Sequence, residues 1–446
     1  VIIKNFKAPA LSIPPPAYDR LQQTDHVRAL RLYFNLLDDF LNTLTNEVNG
    51  FMQPFSATSF DAFGRLRISQ PYTIFDSQNR YQKDPQFSEE LVTGGTATYV
   101  ANESSVDLAV TTSLGSKAVR QSFRVFPYQP GKSLEVLATF VMNAGKTNLR
   151  QRVGYFNTSN GVFFQLNGTT KSFVLRTNTS GTPSDTRTVD QANWNGDKLD
   201  GTGESQLILD VTKAQILYMD FEWLGVGSVR CGFVINGQFI VCHTFNNAND
   251  IDKVYMTTAI LPVRYEIENT GVTASASTLT QICSSVVSEG GYDQKSALTW
   301  ARMTSATSVS TTFEPLVSIR LKSTALGAVV IPSIFTALPI GATGDFEVAL
   351  IKNPSALTGA SWSSLSTNVE YDIASTAMTG GTIVETSFVA GSNQGSSAAS
   401  SGADYNFDLQ LGASISGTSD VYTLAARTIS GSDNIIGALS FFDLTD

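Results

Sequence analysis

The residues best placed to do chemistry are Asp220 and Glu222, two apart in the alternating segment 216–223. On a strand they would share one face. Two carboxyl groups about 5–9 Å apart are what glycoside hydrolysis uses. The same pair could instead be an outer strand face, solvated or paired with Arg230 across the turn Gly225-Val226-Gly227. The second reading is the expectation, because nothing else around the pair builds an active site. A nucleophilic triad needs a base, usually His, and the chain has 2 His. His26 falls on an expected helix and His243 at a strand end, both as structural residues. No nucleophile elbow, phosphate-binding loop or dinucleotide fingerprint is present, and no His/Cys cluster has zinc spacing. The sequence therefore predicts no catalytic residue, no metal and no cofactor, and a protein that is not an enzyme.

The stretch 190–204 holds Asp190, Asn193, Asn195, Asp197, Asp200 and Glu204. Its EF-hand register fails: with Gly196 at the sixth position, the first is Gln191 and the twelfth Thr202. A loop held by Asx turns is the expected structure. Within it, Trp194 stands between Asn193 and Asn195. That is the one place where an aromatic among polar neighbours could stack on a sugar; otherwise Trp194 plugs the end of the fold. Cys231 and Cys242 flank Asn236-Gly237, a strong two-residue hairpin signal, and simple counting sets them opposite each other. They could bond, or Cys231 could pack in a core with Phe233, Ile235 and Ile240. Cys283 has no evident partner. Three Cys in 446 residues fit assembly in a reducing compartment.

Composition narrows the classes further. Charged residues are 15% of the chain, against about 25% in an average globular protein, and Ser, Thr, Asn and Gly take their place. These residues favour strands and turns over helix interiors. A net charge of −9 with no Lys/Arg run argues against nucleic-acid binding. No apolar run reaches the roughly 20 residues of a membrane helix. Val1-Ile2-Ile3-Lys4 lacks the layout of a signal peptide.

The elements that must position any site are mostly strands. Residues 1–50 are expected as an extended arm, stiffened at Pro14-Pro15-Pro16, followed by a helix from about Asp25 to Val48. Val27, Leu30, Phe34, Leu37, Leu41, Leu44 and Val48 repeat at 3-4 spacing, a heptad stripe. The helix either packs on its own chain or forms a parallel bundle between subunits. Its wide apolar face favours the bundle. From 51 to 292, short alternating strands separated by Gly and Asn turns predict an antiparallel β-sandwich. The pieces 161–166 and 233–239 resemble strands of concanavalin-like jelly rolls. Residues 293–313 read as a Ser/Thr-rich linker, and 314–446 as a second β-sandwich, with a Gly/Ser/Ala loop at 391–402. The fold class expected is thus mainly β: arm and heptad helix, then two jelly-roll-like antiparallel sandwiches.

Three segments carry a family likeness. They are Pro14-Pro15-Pro16-Ala17-Tyr18-Asp19-Arg20 leading into the helix, Phe60-Asp61-Ala62-Phe63-Gly64-Arg65-Leu66-Arg67, and Trp194-Asn195-Gly196-Asp197-Lys198-Leu199-Asp200-Gly201. Together they resemble fibre-like virion structural proteins of tailed bacteriophages, particularly phages of aquatic bacteria. That resemblance implies a place in the virion, on head, neck or tail, with other virion proteins (capsid, neck or tail) as partners. It also implies a homotrimer, in agreement with the heptad stripe. The functional expectation is a homotrimeric fibre or spike. The alternatives are a host-receptor, glycan-binding protein at a fibre tip and a capsid decoration protein.

Overall fold

A computed structural model describes residues 24–25, 27–35, 37, 70–293, 296, 298–391 and 407–445. The chain divides into two units, Val1–Phe60 and Asp61–Asp446. In the first, residues 27–35 are helical; Val27, Leu30 and Phe34 are exposed and Leu37 is half-buried. The arm, His26, and the stripe positions Leu41, Leu44 and Val48 lie outside the described residues, as does most of the loop at 391–402.

The second unit is mainly β. Its N-terminal part has fifteen strands: β1 (Tyr72–Gln78), β2 (Phe87–Val92), β3 (Thr96–Val100), β4 (Ser105–Val110), β5 (Lys117–Ser122), β6 (Ser133–Val141), β7 (Leu149–Phe156), β8 (Gly161–Asn167), β9 (Thr170–Thr177), β10 (Ser184–Asp190), β11 (Gln215–Phe221), β12 (Val229–Ile235), β13 (Gln238–Phe245), β14 (Val263–Asn269) and β15 (Ser277–Glu289). One sheet runs β13-β12-β11-β6-β15-β4-β3, with β1 also on β15; the other runs β10-β9-β8-β7-β14-β5-β2. Neighbouring strands are antiparallel throughout. Inward residues of both sheets meet in one core. Phe164 of β8, for example, lies 6.2 Å from Phe140 of β6 and 5.2 Å from Phe233 of β12.

The hairpin β12–β13 turns at Asn236-Gly237, both at positive φ (53° and 75°), as that sequence demands. The simple register breaks lower down. A bulge sets Cys231 opposite His243 and leaves Cys242 as the extra residue. Both thiols are buried and free, and so is the half-buried Cys283 thiol. The core-packing reading holds, and the opposed pair of cysteines is corrected.

The C-terminal part is a second sandwich. Strands 314–321, 346–352, 369–372, 382–389 and 421–428 form one sheet with the short 363–364. In the other, Asp433–Asp443 is paired by Leu298–Arg302, Thr307–Val309 and Val330–Pro339. Residues 293–313 therefore are not a linker: two of their short segments find partners in the last strand of the chain. The two sandwiches also touch through built contacts. The Arg124 guanidinium donates to the Phe407 carbonyl at 2.6 Å and ion-pairs with Asp408 at 3.2 Å. The amide of Ala413 donates to the Phe123 carbonyl at 2.8 Å.

Candidate functional site

The sites expected from the sequence are structural. Trp194 is 2% exposed. Its ring lies 4.7 Å from Phe173, and its Nε1–H donates to the Val189 carbonyl at 3.1 Å. It plugs the core and cannot stack on a sugar. Asn193 is exposed at the end of a short 3-10 turn, Gln191–Asn193. Asn195 spends its amide on the Thr244 backbone, donating at 2.9 Å and accepting at 2.8 Å. The rest of this loop is held as expected: Asp197 accepts from the amides of Leu199 and Ser205, and Asp200 from Thr202. Among the described residues no His/Cys/Asp/Glu group could hold a metal ion.

Asp220 and Glu222 are fully buried, which corrects the solvated face expected for them. Asp220 is opposite Arg230 in the β11–β12 ladder and pairs with its guanidinium, as the alternative reading anticipated; Ser133 Oγ–H donates to it as well. His243 accepts from the Asn195 amide at 3.4 Å and lies edge-on to Phe245. Burial, with Arg187 nearby, depresses its pKa to about 4, so it is neutral at pH 7.

What the sequence reading missed is on the outer face of the β7–β14 sheet. Strand alternation sends Leu149, Val153 and Tyr155 inward and Arg150 and Arg152 outward. On β14 it sends Val263, Tyr265 and Ile267 inward and Arg264, Glu266 and Glu268 outward. The ladder places Arg152 beside Glu266 and Arg150 beside Glu268. A cleft of about 290 Å³ opens here, lined by Lys117, Arg150, Arg152, Arg176, Arg264, Asp185, Glu266, Glu268 and the rim residues Thr158 and Pro183.

Apolar side chains lie beneath this charged lining. Phe156, Phe163 and Val174 form a small buried cluster apart from the main core. Gly154 faces out among them and has no room for a side chain: a Cβ there would meet the Val162 carbonyl oxygen at 2.5 Å and Phe163 Cβ at 2.7 Å. Guanidinium groups roof the rings. Arg152 lies 5.2 Å and Arg176 5.1 Å from the Phe163 centroid, and Arg264 lies 5.6 Å from that of Phe156. Such stacking suits Arg, whose planar group is weakly hydrated.

The charges are pinned. Arg176 holds Asp185 through Nε and Nη2 at 2.7 and 2.8 Å. Arg264 holds Glu266 through Nε and Nη2 at 3.0 and 2.7 Å, and Arg152 reaches the other Glu266 oxygen at 3.2 Å. Gln165 and Gln121 take further guanidinium protons. Burial pushes the Glu266 carboxyl up, but Arg264 and Arg152 outweigh it and hold its pKa at about 2. Asp185 is likewise depressed: burial opposes, and Arg176 and Arg152 prevail. Burial, reinforced by Arg150 and Arg176, lowers Arg152 to about 10, still protonated at neutral pH. Two of the cleft's three carboxyls are thus fixed as anions. A general acid needs a carboxyl that keeps its proton near the working pH, and neither Glu266 nor Asp185 does. The alternation Arg150-x-Arg152 and Arg264-x-Glu266-x-Glu268 was the available signal in the sequence.

Neither a protein-family model nor a curated protein matches this sequence. Among solved structures, the chain is similar to the Emp47p carbohydrate recognition domain at 10% identity, with 49% of this chain and 96% of that chain covered and a TM-score of 0.31. It is similar to arcelin-5, a lectin-like defense protein from Phaseolus vulgaris, at 12% identity, with 49% and 99% covered and a TM-score of 0.30. For the β-glucanase of Bacillus licheniformis the values are 11% identity, 48% and 96% covered, and a TM-score of 0.31. Likenesses this distant decide nothing about ligand or reaction; the sandwich stands on its own sheet topology.

Proposed function

We propose that this protein is a non-catalytic glycan-binding protein whose ligand lies in the cleft on the outer face of the β7–β14 sheet. The observation that carries the reading is the cleft itself: immobilised, oppositely charged hydrogen-bonding groups on a rigid sheet, with an opening of about 290 Å³. Ligand clefts start at roughly 300 Å³, which here fits one sugar residue better than a long chain. Guanidinium and carboxylate groups together offer the donors and acceptors that sugar hydroxyls need. The groups are already oriented, so little side-chain entropy is lost on binding. The biological setting that goes with this reading is a host-receptor protein of a tailed-phage particle, supported by the sequence resemblance alone. Binding of the full-length protein to a glycan array, compared with Arg150→Gln, is the test. The reading predicts signals that the variant weakens; an array without any signal overturns it.

A second reading is a structural fibre or decoration subunit of the same kind of particle. It draws on the exposed apolar residues Val27, Leu30 and Phe34 on the described helix, which suit a subunit contact in a homotrimer.

A further inference from the structure

The cleft sits in an acidic protein, yet its own lining is cationic. Five cations (Lys117, Arg150, Arg152, Arg176 and Arg264) face three carboxylates (Asp185, Glu266 and Glu268). Counting Glu90, which pairs with Lys117 at 2.7 Å, still leaves one positive charge in excess, where the whole chain carries −9. The excess is held in place. Arg152 and Arg264 are 5% and 3% exposed, and their roof over Phe156 and Phe163 prevents them from swinging apart. Arg150 gives one guanidinium nitrogen to Glu268 at 2.5 Å, while its Nε–H, shielded from solvent, has no hydrogen-bond partner among the described residues. The guanidinium groups also repel one another, and Arg150 and Arg176 add to burial in lowering the Arg152 pKa. A local excess of one fixed positive charge, an unpartnered donor and crowded cations together favour one added anion.

From this geometry we infer that the saccharide bound in the cleft is acidic, a uronic acid whose carboxylate is received by Arg150 and its neighbours Arg152 and Arg176. The inference rests on the glycan-binding reading above and specifies its ligand. A planar carboxylate matches the two-pronged guanidinium geometry that the cleft already shows in Arg176–Asp185, where Nε and Nη2 each meet a different carboxylate oxygen. A phosphate dianion would carry one charge more than the excess and would lie close to three carboxylates. The sugar ring would rest against the rim at Thr158 and Pro183.

The experiment is calorimetric titration of the full chain with three oligosaccharides of equal length: a glucuronate, its methyl ester, and a sulfated neutral sugar. The glucuronate is expected to bind at least about tenfold tighter than the ester, and to weaken as salt rises from about 50 to about 500 mM. Arg150→Gln should weaken glucuronate binding roughly tenfold, about 1.4 kcal/mol. Glu268→Gln should tighten it, a gain that damage to the fold would not produce. Equal affinity for acid and ester overturns the acidic assignment while leaving the glycan reading intact. Tighter binding of the sulfated sugar overturns the carboxylate assignment. No binding of any of the three, nor of any array glycan, overturns both readings together.

Discussion

Arg152 and Glu266 are cross-strand neighbours on β7 and β14, 3.2 Å apart, with only 6% of either side chain exposed. An ion pair this buried is kept together by the cost of separating it: removing one partner strands the other charge in a poorly solvated place, typically at about 3–5 kcal/mol. Here Glu266 serves two guanidinium groups, Arg152 and Arg264. Glu266→Gln is therefore expected to lower unfolding stability by about 3 kcal/mol, measured by urea denaturation at pH 7. The sign of the pH effect follows from the depressed pKa. Glu266 titrates at about 2 in the folded state, against an ordinary value of 4.5. Its stabilisation is complete above the unfolded value and is lost as pH falls from 4.5 toward 2. The variant should show a flatter decline across that window; an unchanged acid limb would mean that the pair contributes nothing.

Trp194 supplies the second prediction. Its ring fills the end of the core against Phe173, and large-to-small changes at such sites cost about 3–5 kcal/mol. Trp194→Ala should lower the thermal midpoint by several degrees. At temperatures where the variant is folded, its glycan binding should match the parent's, because Trp194 does not line the β7–β14 cleft. Selective loss of binding with unchanged stability would return Trp194 to the sugar-stacking alternative.

Why some of this was legible and some not comes down to the range of the interactions. The Asn236-Gly237 turn is local chemistry, and it reads directly from two residues. So does the pairing of Asp220 with Arg230 across adjacent strands. The bulge at Cys242 is not local. The backbone of Gly196 donates to the Cys242 carbonyl at 2.9 Å and that of Asp197 to the Val241 carbonyl at 3.0 Å, so a distant loop lies along the free edge of β13. That same docking carries Trp194 inward. The cleft shows both sides. Arg150-x-Arg152 marks one outer face and Arg264-x-Glu266 another, but nothing in the sequence says that residues 114 apart become neighbours. Residues 298–302 and 307–309 hid as a linker because such short strands, beside the Ser/Thr-rich stretch 304–312, are too brief to show an apolar period.

The junction between the sandwiches gives a third prediction. Gly412 lies so close to the Phe123 backbone that a Cβ there would meet its carbonyl oxygen at 2.8 Å. Nearby, Gln410 donates to the Val125 carbonyl at 2.9 Å, and the Ile415 amide to Ser88 Oγ at 3.1 Å. Adding a branched side chain at Gly412 should wedge these contacts apart. Gly412→Val combined with Arg124→Ala is expected to split one calorimetric unfolding transition into two. A single transition with an unchanged midpoint would mean that the two sandwiches do not depend on this seam.

Thiol reactivity tests the register of the β12–β13 hairpin. Burial pushes the Cys231 and Cys242 thiols well above their ordinary pKa, and that of Cys283 less so. A protonated, inaccessible thiol is a poor nucleophile. A thiol reagent at pH 8 should label the native protein slowly and at Cys283 first. All three cysteines should react once the protein is unfolded without reductant. If only one reacts then, Cys231 and Cys242 are bonded.

The helix provides the last prediction, and it separates the two functional readings. Val27, Leu30 and Phe34 recur at 3-4 spacing, yet they are 49%, 37% and 56% exposed. An amphipathic helix leaves such a stripe in water only at the expense of about 25 cal/mol for each Å² of apolar surface. A partner helix from another subunit would cover it, and stable obligate interfaces bury about 2,000–5,000 Å² in total. Light scattering on the whole protein should then give the mass of a trimer, and Phe34→Asp with Leu37→Asp should reduce it to a monomer. Glycan binding through the β7–β14 cleft should survive at the level of a single site, because that cleft is built within one chain, and should lose only the gain from multivalency. A trimer that withstands both substitutions would put the subunit contact elsewhere. A monomer before and after would mean that the stripe needs no second copy in solution.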